Sequence, residues 1–316
     1  MISIVKGGTH VDGYIKEHLR LGGYAPSAAR GAYDNEKGWT DYRIGEHIVF
    51  AHRTNDYRVD RFTDALHAHD YVEMILWVEG DVQYLSGSRG ATAQEGSVVI
   101  IPPGRSHTTR LLRRGRYTRD VLYFSPAAFS PFGEEMLSSL LSAAAECFTV
   151  TLTGDELRAA RGAIDRITAA VTSDGPLGGF AAYSGVTDLL VTVSSAFVRG
   201  ASPTQAHRLP ETVSEIRRYI ERNYAAVSSI DALACAFYYS REHLSRVFRK
   251  YYNISPHDYL ERCRIREAMR RLRAGERVAD VCYGVGYRSM SVFLAAFRRI
   301  TGCTPSAFRK REESGG

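Results

Sequence analysis

The strongest constraint on this chain is a segment that occurs twice, at Ser240–Tyr259 and at Ser289–Phe308. At an offset of 49 residues the two copies keep the type of side chain along their length without a gap. The aligned pairs include Tyr238 with Tyr287, Leu244 with Phe293, Phe248 with Phe297, Pro256 with Pro305 and Tyr259 with Phe308. A repeat of this length indicates that one structural unit is built twice.

Each copy predicts a helix with defined ends. A Ser occupies the N-cap position in both copies, where its side chain accepts a hydrogen bond from a free backbone amide, and apolar residues follow at helical spacing. Asn253 and Gly302 suit a left-handed C-terminal cap. Because a shorter helix precedes each copy, at Ile230–Phe237 and at Val278–Tyr283, both copies predict a helix-turn-helix unit.

The second helix of each unit is the candidate DNA-binding element, since the second helix of a helix-turn-helix lies in the major groove. Its outward positions in the first copy are polar or charged and can hydrogen-bond to bases or phosphates. Those of the second copy are less polar, so we expect the first unit to read bases and the second to dock through phosphates and thymine methyl groups. An ordinary helical hairpin with a solvated charged face is the alternative. The candidates are Ser240, Arg241, Glu242, Ser245, Arg246 and Arg249 in the first copy, and Arg288, Ser289, Met290, Ser291, Leu294 and Arg298 in the second.

The positive charge of the chain is concentrated in the part that carries the repeat. The whole chain has a formal charge of +6, but residues 207–316 hold 21 Lys or Arg and 12 Asp or Glu, a net +9. The first 206 residues hold 20 and 23, a net −3. This distribution is the one expected when a nucleic-acid-binding domain is attached to a domain with another role.

A specific motif runs through residues 209–311. It consists of Ala234, Ser240, Leu244-Ser245-Arg246, Phe248, Ser255-Pro256, Tyr259, Arg264-Ile265, Ala268, Gly286-Tyr287, Phe293, Phe297, Thr304-Pro305 and Phe308. These residues resemble the AraC/XylS-type transcription regulators. The resemblance implies two helix-turn-helix units on one long connecting helix, double-stranded DNA and RNA polymerase as partners, and a homodimer. The unbroken helical pattern of Pro256–Leu272 supports that connecting helix independently.

The N-terminal half predicts a β-rich domain. Short runs rich in Val, Ile and Tyr, separated by Gly-containing breaks, are typical of a sandwich or a closed barrel. The predicted strands are Ile44–Arg53, Val59–Leu66, Tyr71–Glu79, Asp81–Ser86, Gly96–Ile101 and Tyr117–Phe124.

Two spacings in this region carry chemistry: His67-x-His69-x3-Glu73-x6-Gly80 and Gly96-x5-Pro102-x-Gly104-x2-His107. They resemble the two motifs of the cupin jelly-roll barrel, with departures at Arg61 and Leu111. Alternate residues of a strand share a face, so both imidazoles of the first motif face inward and the Glu can join them. Three His and one carboxylate are the ligand set of many metal cupins and suit zinc, iron or manganese. Polar contacts to an effector, or purely structural hydrogen bonds, are the alternatives, and no metal is assigned.

The candidate effector pocket is built around this cluster. Aromatic walls beside His and Arg favour a sugar or a small carboxylate as effector, with Arg105 and Arg110 as candidate anion partners. The aromatic rings also suit an ordinary apolar core. The pocket candidates are His67, His69, Glu73, His107, Arg105, Trp77 and Tyr84.

Helical segments link the two halves. Helices are predicted at Pro131–Cys147, Gly154–Val171 and Gly178–Arg199, and the last carries an apolar stripe at Leu189, Leu190, Val193, Ala196 and Phe197. We expect this stripe to mediate self-association, with packing inside the same chain as the alternative. The domain map is an extension (1–38), a cupin-like effector-binding barrel (39–130), a helical dimerisation or packing segment (131–199), a linker (200–208), the DNA-binding domain (209–311) and a tail (312–316).

The resulting expectation is an α+β, two-domain protein in which a jelly-roll barrel and flanking helices precede an all-α double helix-turn-helix domain. Its expected function is DNA-binding transcription regulation under the control of an effector bound in the barrel. The alternative is a metal-dependent cupin enzyme, a dioxygenase or isomerase, with a DNA-binding tail. We find neither a secretory segment nor an apolar run long enough for a bilayer, so we expect a cytoplasmic protein without membrane contact.

Overall fold

The computed structural model describes residues 3–5, 39–44, 47–57, 66–69, 71–113, 115–125, 128–129, 134–146, 149–152, 154–172, 177–200, 206–252 and 254–313. Over these residues a β-rich domain is followed by an all-helical domain, which confirms the predicted fold class. The predicted N-terminal extension lies outside the described residues except for residues 3–5.

The β-rich domain contains two antiparallel sheets. The first has seven strands in the order β1-β2-β3-β9-β4-β7-β10, and the second has four in the order β11-β6-β5-β8. The strands are β1 (Ser3–Val5), β2 (Trp39–Ile44), β3 (Ile48–Tyr57), β4 (Val72–Glu79), β5 (Val82–Ser86), β6 (Arg89–Ala93), β7 (Ser97–Ile101), β8 (His107–Leu111), β9 (Gly115–Phe124), β10 (Val150–Thr151) and β11 (Ala206–Arg208).

Four predicted strands are found within two residues of their expected ends, namely β4, β5, β7 and β9. The strand expected at Ile44–Arg53 is displaced, because residues 39–44 form β2 and the next strand begins at Ile48. The strand expected at Val59–Leu66 lies outside the described residues except for Leu66, which is not in a strand. Strands β1, β2, β6, β8, β10 and β11 were not predicted.

Ten described helices complete the fold. They are α1 (Glu134–Glu146), α2 (Gly154–Thr172), α3 (Gly178–Arg199), α4 (Glu211–Asn223), α5 (Ile230–Ala236), α6 (Arg241–Tyr252), α7 (Pro256–Arg273), α8 (Val278–Gly284), α9 (Met290–Thr301) and α10 (Pro305–Glu313). The three helices predicted between the two halves of the chain correspond to α1, α2 and α3.

The β-rich domain has three layers, because alternate residues of the central strands face opposite sides. On β4, Met74 and Leu76 lie in the core shared with α2 and α3. Ile75 and Trp77 lie in the second core, between the two sheets. Glu73 belongs to this second set, so its carboxylate is directed between the sheets.

Helix α3 packs within its own chain through the stripe that we expected to mediate self-association. Leu189, Val193 and Ala196 are fully buried in the core with α2 and the seven-stranded sheet. The expectation of a dimer built on this stripe was therefore wrong, since α2 and the sheet already cover it. Helix α3 is also long and apolar enough to cross a membrane by length and composition alone, which was not expected from the sequence, and a buried core helix meets the same criterion.

The helical domain contains two cores that share α7. Tyr259, Leu260 and Cys263 lie in the core formed with α4, α5 and α6. Ala268 and Leu272 lie in the core formed with α8, α9 and α10. The 18 residues of α7 span about 27 Å at 1.5 Å per residue, so one helix joins two helix-turn-helix units, as predicted.

The two turns correspond with a shift of one residue. The backbone N–H of Tyr239 donates to Ala234 (2.9 Å), and that of Tyr287 donates to Cys282 (3.2 Å), each five residues earlier. Tyr239 is therefore the counterpart of Tyr287, and the predicted pairing of Tyr238 with Tyr287 was wrong. The ungapped alignment failed here because the second turn contains one extra residue, Arg288.

The predicted helix caps are only partly found. Ser240 accepts from the backbone N–H of His243 at 3.1 Å, and Gly302 adopts the left-handed conformation, as expected. Ser289 occupies the N-cap position but makes no capping hydrogen bond, because its hydroxyl pairs with that of Ser291 at 2.9 Å. Asn253 lies outside the described residues.

The end of the predicted linker is part of a sheet. Ala206–Arg208 pairs with β6, and the backbone N–H of Leu209 donates to the carbonyl of Ser88 at 3.0 Å. The chain therefore enters the helical domain along the edge of the four-stranded sheet.

Candidate functional site

The first recognition helix, α6, presents a charged outer face. Glu242, Arg246 and Arg249 are exposed, and together with Arg241 and Ser245 they line one concave surface. Arg241 donates to Asp231 at 3.2 Å, and Arg246 donates to the ring of His243 at 3.1 Å. Within the described part of the chain, Glu242 makes no hydrogen bond or ion pair, so its carboxylate is available as an acceptor.

The second recognition helix, α9, presents a less polar face. Ser291, Leu294 and Arg298 are exposed, and Arg288 is exposed in the turn before it. Val292 on the same helix is 55% exposed, whereas Met290 is half-buried against the core of the second unit. This face offers a hydroxyl, one guanidinium at each end and apolar groups, consistent with the expected division of roles.

The structure brings together the four residues of the predicted imidazole–carboxylate cluster. Each of His67, His69, Glu73 and His107 contributes one potential ligand atom, and these atoms lie within 4.8 Å of one another. The Oε2 atom of Glu73 lies 2.9 Å from Nε2 of His69 and 3.1 Å from Nε2 of His107. An isolated backbone bridge pairs residues 67 and 107, while Glu73 comes from β4.

The hydrogen bonds of the two buried imidazoles define which nitrogen carries hydrogen. Nδ1 of His69 lies 2.9 Å from the carbonyl oxygen of Tyr71, and Nδ1 of His107 lies 2.9 Å from that of Arg105. A carbonyl oxygen can only accept, so both Nδ1 atoms are protonated. In a neutral ring Nε2 then carries a lone pair in place of a hydrogen. In both rings this lone pair faces the Glu73 carboxylate.

Electrostatics makes this arrangement unfavourable unless positive charge is present. Burial would raise the pKa of Glu73, but His107 and His69, which can donate to it only as protonated rings, outweigh burial and hold that pKa well below the usual range. Burial lowers the pKa of His69 and outweighs the opposing effect of Glu73. The cluster therefore combines an ionised carboxylate with a ring that resists protonation.

The cluster has the features of a metal site. Metal-bound imidazoles usually donate their other N–H to a carbonyl or carboxylate, as both rings do here. A divalent cation between the two Nε2 atoms and the carboxylate would remove the repulsion between the lone pairs. The donor set of imidazoles and one carboxylate suits zinc, iron or manganese.

The other predicted pocket residues are divided between the core and the surface. Trp77 is fully buried and donates from Nε1 to the Tyr117 hydroxyl at 3.2 Å, and Tyr84 is buried beside it, so both rings form the core between the sheets. The Arg105 side chain is exposed, and its contact with the cluster is made by its backbone carbonyl. Arg110 is half-buried on β8.

A buried arginine that we did not predict lies in the same layer. Arg53 is 7% exposed, and its guanidinium carbon lies 5.4 Å from the centre of the Tyr123 ring. It shares the inward-facing parity of Val49 and Ala51 on β3, which lie in the core between the sheets. The alternation of the strand predicted at 44–53 contained this signal.

The segments that carry the cluster also contact the helical domain. The backbone N–H of Leu66, next to His67, donates to the carbonyl of Tyr252 at 3.1 Å. The hydroxyl of Ser106, next to His107, donates to Glu221 at 2.9 Å and lies 3.0 Å from the Tyr259 hydroxyl. No sequence pattern indicated these contacts, which join residues more than one hundred positions apart.

Comparisons with known proteins identify both domains. The family model described as the AraC-like ligand binding domain matches residues 47–168, and the model described as a helix-turn-helix domain matches residues 233–311. The HTH-type transcriptional activator AarP of Providencia stuartii is 34% identical over 98 residues, which cover 31% of this chain and 73% of AarP. The uncharacterized HTH-type transcriptional regulator YijO of Escherichia coli K12 is 30% identical over 116 residues, 36% of this chain and 41% of YijO.

The relatives differ in how much of their own length this chain matches. The chain matches less than half the length of YijO, whereas it matches nearly three quarters of AarP. Among solved structures, ToxT from Vibrio cholerae is 12% identical, covers 82% of this chain and 96% of its own, and has a TM-score of 0.33, too low to support an argument. The AarP match and the two family models, in the order found here, show that the chain belongs to the AraC family of DNA-binding transcription regulators, with an AraC-like ligand-binding domain.

Proposed function

We propose that this AraC-family regulator is a cytoplasmic protein whose DNA binding is controlled by a small-molecule effector held between its two sheets. The observation that carries this proposal is the cluster of His69, Glu73 and His107 inside a mainly apolar layer that also holds Arg53. Buried polar groups cost free energy unless they are paired, so such a cluster needs a structural or ligand-binding reason. A few convergent polar groups among aromatic walls are typical of small-molecule sites.

A sugar or a small carboxylate is the effector class that we propose. Hydroxyl groups of a sugar would find acceptors and donors at Glu73 and the imidazoles. A carboxylate would be attracted by Arg53 within the layer and by Arg105 and Arg110 nearer the surface. The Tyr71 ring, stacked on His69 with centroids 3.9 Å apart, supplies an aromatic wall for either guest.

A divalent metal is the second candidate occupant, favoured by the protonated Nδ1 atoms of His69 and His107. The ligands would be His67, His69, Glu73 and His107, and a bound cation would supply positive charge to hold an anionic effector. The same ligand set underlies the alternative of a metal-dependent cupin enzyme, a dioxygenase or isomerase with a DNA-binding tail. We favour a non-enzymatic protein, because the relatives reported above are named as transcription regulators.

The two DNA-binding units have different proposed tasks. Arg246 and Arg249 can donate to guanine, and Glu242 can accept from the amino group of cytosine, so the first unit would read base edges. Arg288 and Arg298 would hold phosphates while Leu294 contacts thymine methyl groups. RNA polymerase is a further proposed partner, to which no residues are assigned.

A homodimer is proposed through the outer face of α3. Phe180, Val191 and Val198 are 80%, 57% and 71% exposed, and Leu177 at the start of the helix is 70% exposed. Spacings of seven and eleven residues place these side chains on one face of the helix. An exposed apolar stripe of this length is suited to pairing with the same stripe of a second copy.

A combined ligand screen and DNA-binding measurement tests the proposal. The full chain is screened by thermal shift against sugars, small carboxylates and divalent metals, since a ligand of the folded state raises the melting temperature. Ligands found in this way are then tested on a duplex that the full chain selects from random DNA. A ligand that changes duplex affinity in the wild type but not in a His69→Ala variant would support the proposal. The absence of any selected duplex, or turnover of a ligand without an effect on DNA, would contradict it.

A further inference from the structure

We propose that Leu66 and Ser106 are positioning residues for the first recognition helix, and that the state of the imidazole–carboxylate cluster is transmitted to α6 through them. This inference rests on the proposed function only in taking the cluster as the ligand site. The linked segments are residues 66–67 and 106–107, which we call the bridge segments. Each contains one imidazole of the cluster and one residue that contacts the helical domain.

The bridge segments are joined to one another within the β domain. The backbone N–H of His67 donates to the carbonyl of His107 at 3.0 Å, and that of His107 donates to His67 at 2.8 Å. The His107 ring donates from Nδ1 to the Arg105 carbonyl, and its Nε2 lies 3.1 Å from Glu73. These bonds provide the route by which a change in the spacing of the cluster would reach the backbone of both bridge segments.

The first bridge segment holds the carboxyl end of the recognition helix. Tyr252 is the last residue of α6, and its carbonyl has no acceptor role within that helix. Leu66 supplies the missing donor at 3.1 Å, so a residue of the β domain completes the end of α6. The Leu66 side chain is fully buried in the core of the first helix-turn-helix unit.

The second bridge segment is bound to a buried polar network between the two domains. Ser106 is 4% exposed and donates to Glu221 on α4. The same carboxylate accepts from the Tyr259 hydroxyl on α7 and from Arg217. A buried network holds its geometry tightly, because displacing one member leaves the others unpaired.

The linkage is specific to the first unit. Leu66 and Leu85 of the β domain belong to the core of that unit. The core of the second unit, among the described residues, contains none from the β domain. A ligand at the cluster would therefore act directly on the helix proposed to read bases, since the second unit meets the rest of the chain through α7 and residues 224–225.

Hydrogen exchange of the DNA-free full chain tests the linkage directly. Three variants are compared: Glu73→Gln alters the cluster, Ser106→Ala removes the contact, and Ser97→Ala removes a buried hydroxyl whose partners, Gln94 and Thr151, lie inside the β domain. We expect Glu73→Gln and Ser106→Ala to accelerate exchange at residues 248–252 at least about fivefold over Ser97→Ala, with residues 293–301 unchanged. Equal exchange in Glu73→Gln and Ser97→Ala, or equal acceleration of both recognition helices, would overturn the proposal.

A second measurement separates this inference from the proposed function. Affinity for a duplex selected by the full chain is measured for Glu73→Gln, Tyr259→Phe and the double variant, because Tyr259→Phe alters the network while leaving the cluster intact. We expect Glu73→Gln to change affinity at least about fivefold alone and to have little effect in the Tyr259→Phe background. Additive effects would overturn the linkage. If no duplex is selected, the proposed DNA recognition fails, and the exchange result still decides the linkage.

Discussion

Arg299, near the end of the second recognition helix, donates to Glu261 on the connecting helix α7. Glu261 is 9% exposed, whereas the Arg299 side chain that reaches it from α9 is more than half exposed. This pair fixes the angle at which α9 leaves its supporting helix. It therefore bears on how the second unit is oriented relative to the first.

Replacement of Glu261 by Gln should lower the stability of the chain. The change removes a charge-assisted hydrogen bond and leaves the Arg299 guanidinium without its partner on α7. Because Arg299 is more than half exposed, we expect a loss of only about 1 kcal/mol in unfolding free energy. Urea unfolding measures the loss. Glu267→Gln is the matched control, since its pair with Arg270 is exposed on one side of α7, and an equally large loss there would contradict the assignment.

Arg246→Ala and Arg298→Ala should have different effects on DNA binding. Arg246 lies on the helix proposed to read bases, so its loss should cost about 1–3 kcal/mol on the preferred sequence and relax selectivity at one position. Arg298→Ala should weaken all sequences alike and reduce the dependence of log affinity on log salt by about one phosphate contact. Binding to the selected duplex and to single-base variants, at several salt concentrations, distinguishes them. Equal loss of selectivity in both variants would refute the division of roles.

The helical domain could be predicted from sequence because its determinants are local. Apolar spacing, the N-cap positions and Pro256 at the start of α7 define α5 to α9 within a few residues, whereas α4 was not predicted. The strands of the β domain were harder to predict from sequence. Strand β8, for example, has the sequence His-Thr-Thr-Arg-Leu, which resembles a polar loop. Its first three residues are nevertheless buried, and the strand pairs with β5 along its length.

The contact between the domains could not be predicted for a different reason. Ser106 and Tyr259 are 153 residues apart in the sequence, and no sequence pattern around either residue indicates the other as its partner. The turn of the first unit was predicted incorrectly for a local reason. Tyr238 adopts a left-handed backbone conformation, which is normally found at Gly. The cluster itself was found from the spacing that resembles the cupin motifs, although His67 and His69 lie before β4, in an isolated bridge and a segment without strand structure, and not on one strand as expected.

Tyr238→Gly should stabilise the first unit. Tyr238 has a φ of 57°, and among the described residues it is the one residue other than Gly with a positive φ. Its side chain is 97% exposed. Gly relieves the backbone strain and loses almost no packing, although it adds entropy to the unfolded chain. We expect a net gain of about 0.5–1 kcal/mol by urea unfolding. Tyr238→Ala keeps a Cβ atom and should show no gain, and a gain of equal size there would rule out backbone strain as the cause.

Gly286→Ala should strongly destabilise the second unit, although Gly286 occupies the equivalent turn. Its φ is 93°, and a Cβ atom there would lie 2.5 Å from the carbonyl oxygen of Ala225. That oxygen belongs to backbone and cannot move aside as a side chain would, so strain and overlap add. We expect a loss of about 3 kcal/mol in unfolding free energy. Gly302→Ala is the control, since it has a positive φ without a neighbour within 4 Å, and it should lose clearly less.

His52 should make the β domain more stable at mildly acidic pH than at alkaline pH. Nδ1 of His52 lies 2.7 Å from Asp120, linking β3 to β9, and this hydrogen bond raises the pKa of His52. A raised pKa means that the folded state favours the protonated ring. The contribution is therefore fully present below the unfolded pKa of about 6.5 and disappears as pH rises through the folded value. Urea unfolding of the wild type and of His52→Gln, near pH 5.5 and near pH 8.5, should show a larger difference between the two proteins at the lower pH. Asp120→Asn should abolish that pH dependence, and a difference that is the same at both pH values would show that the pair does not act through protonation.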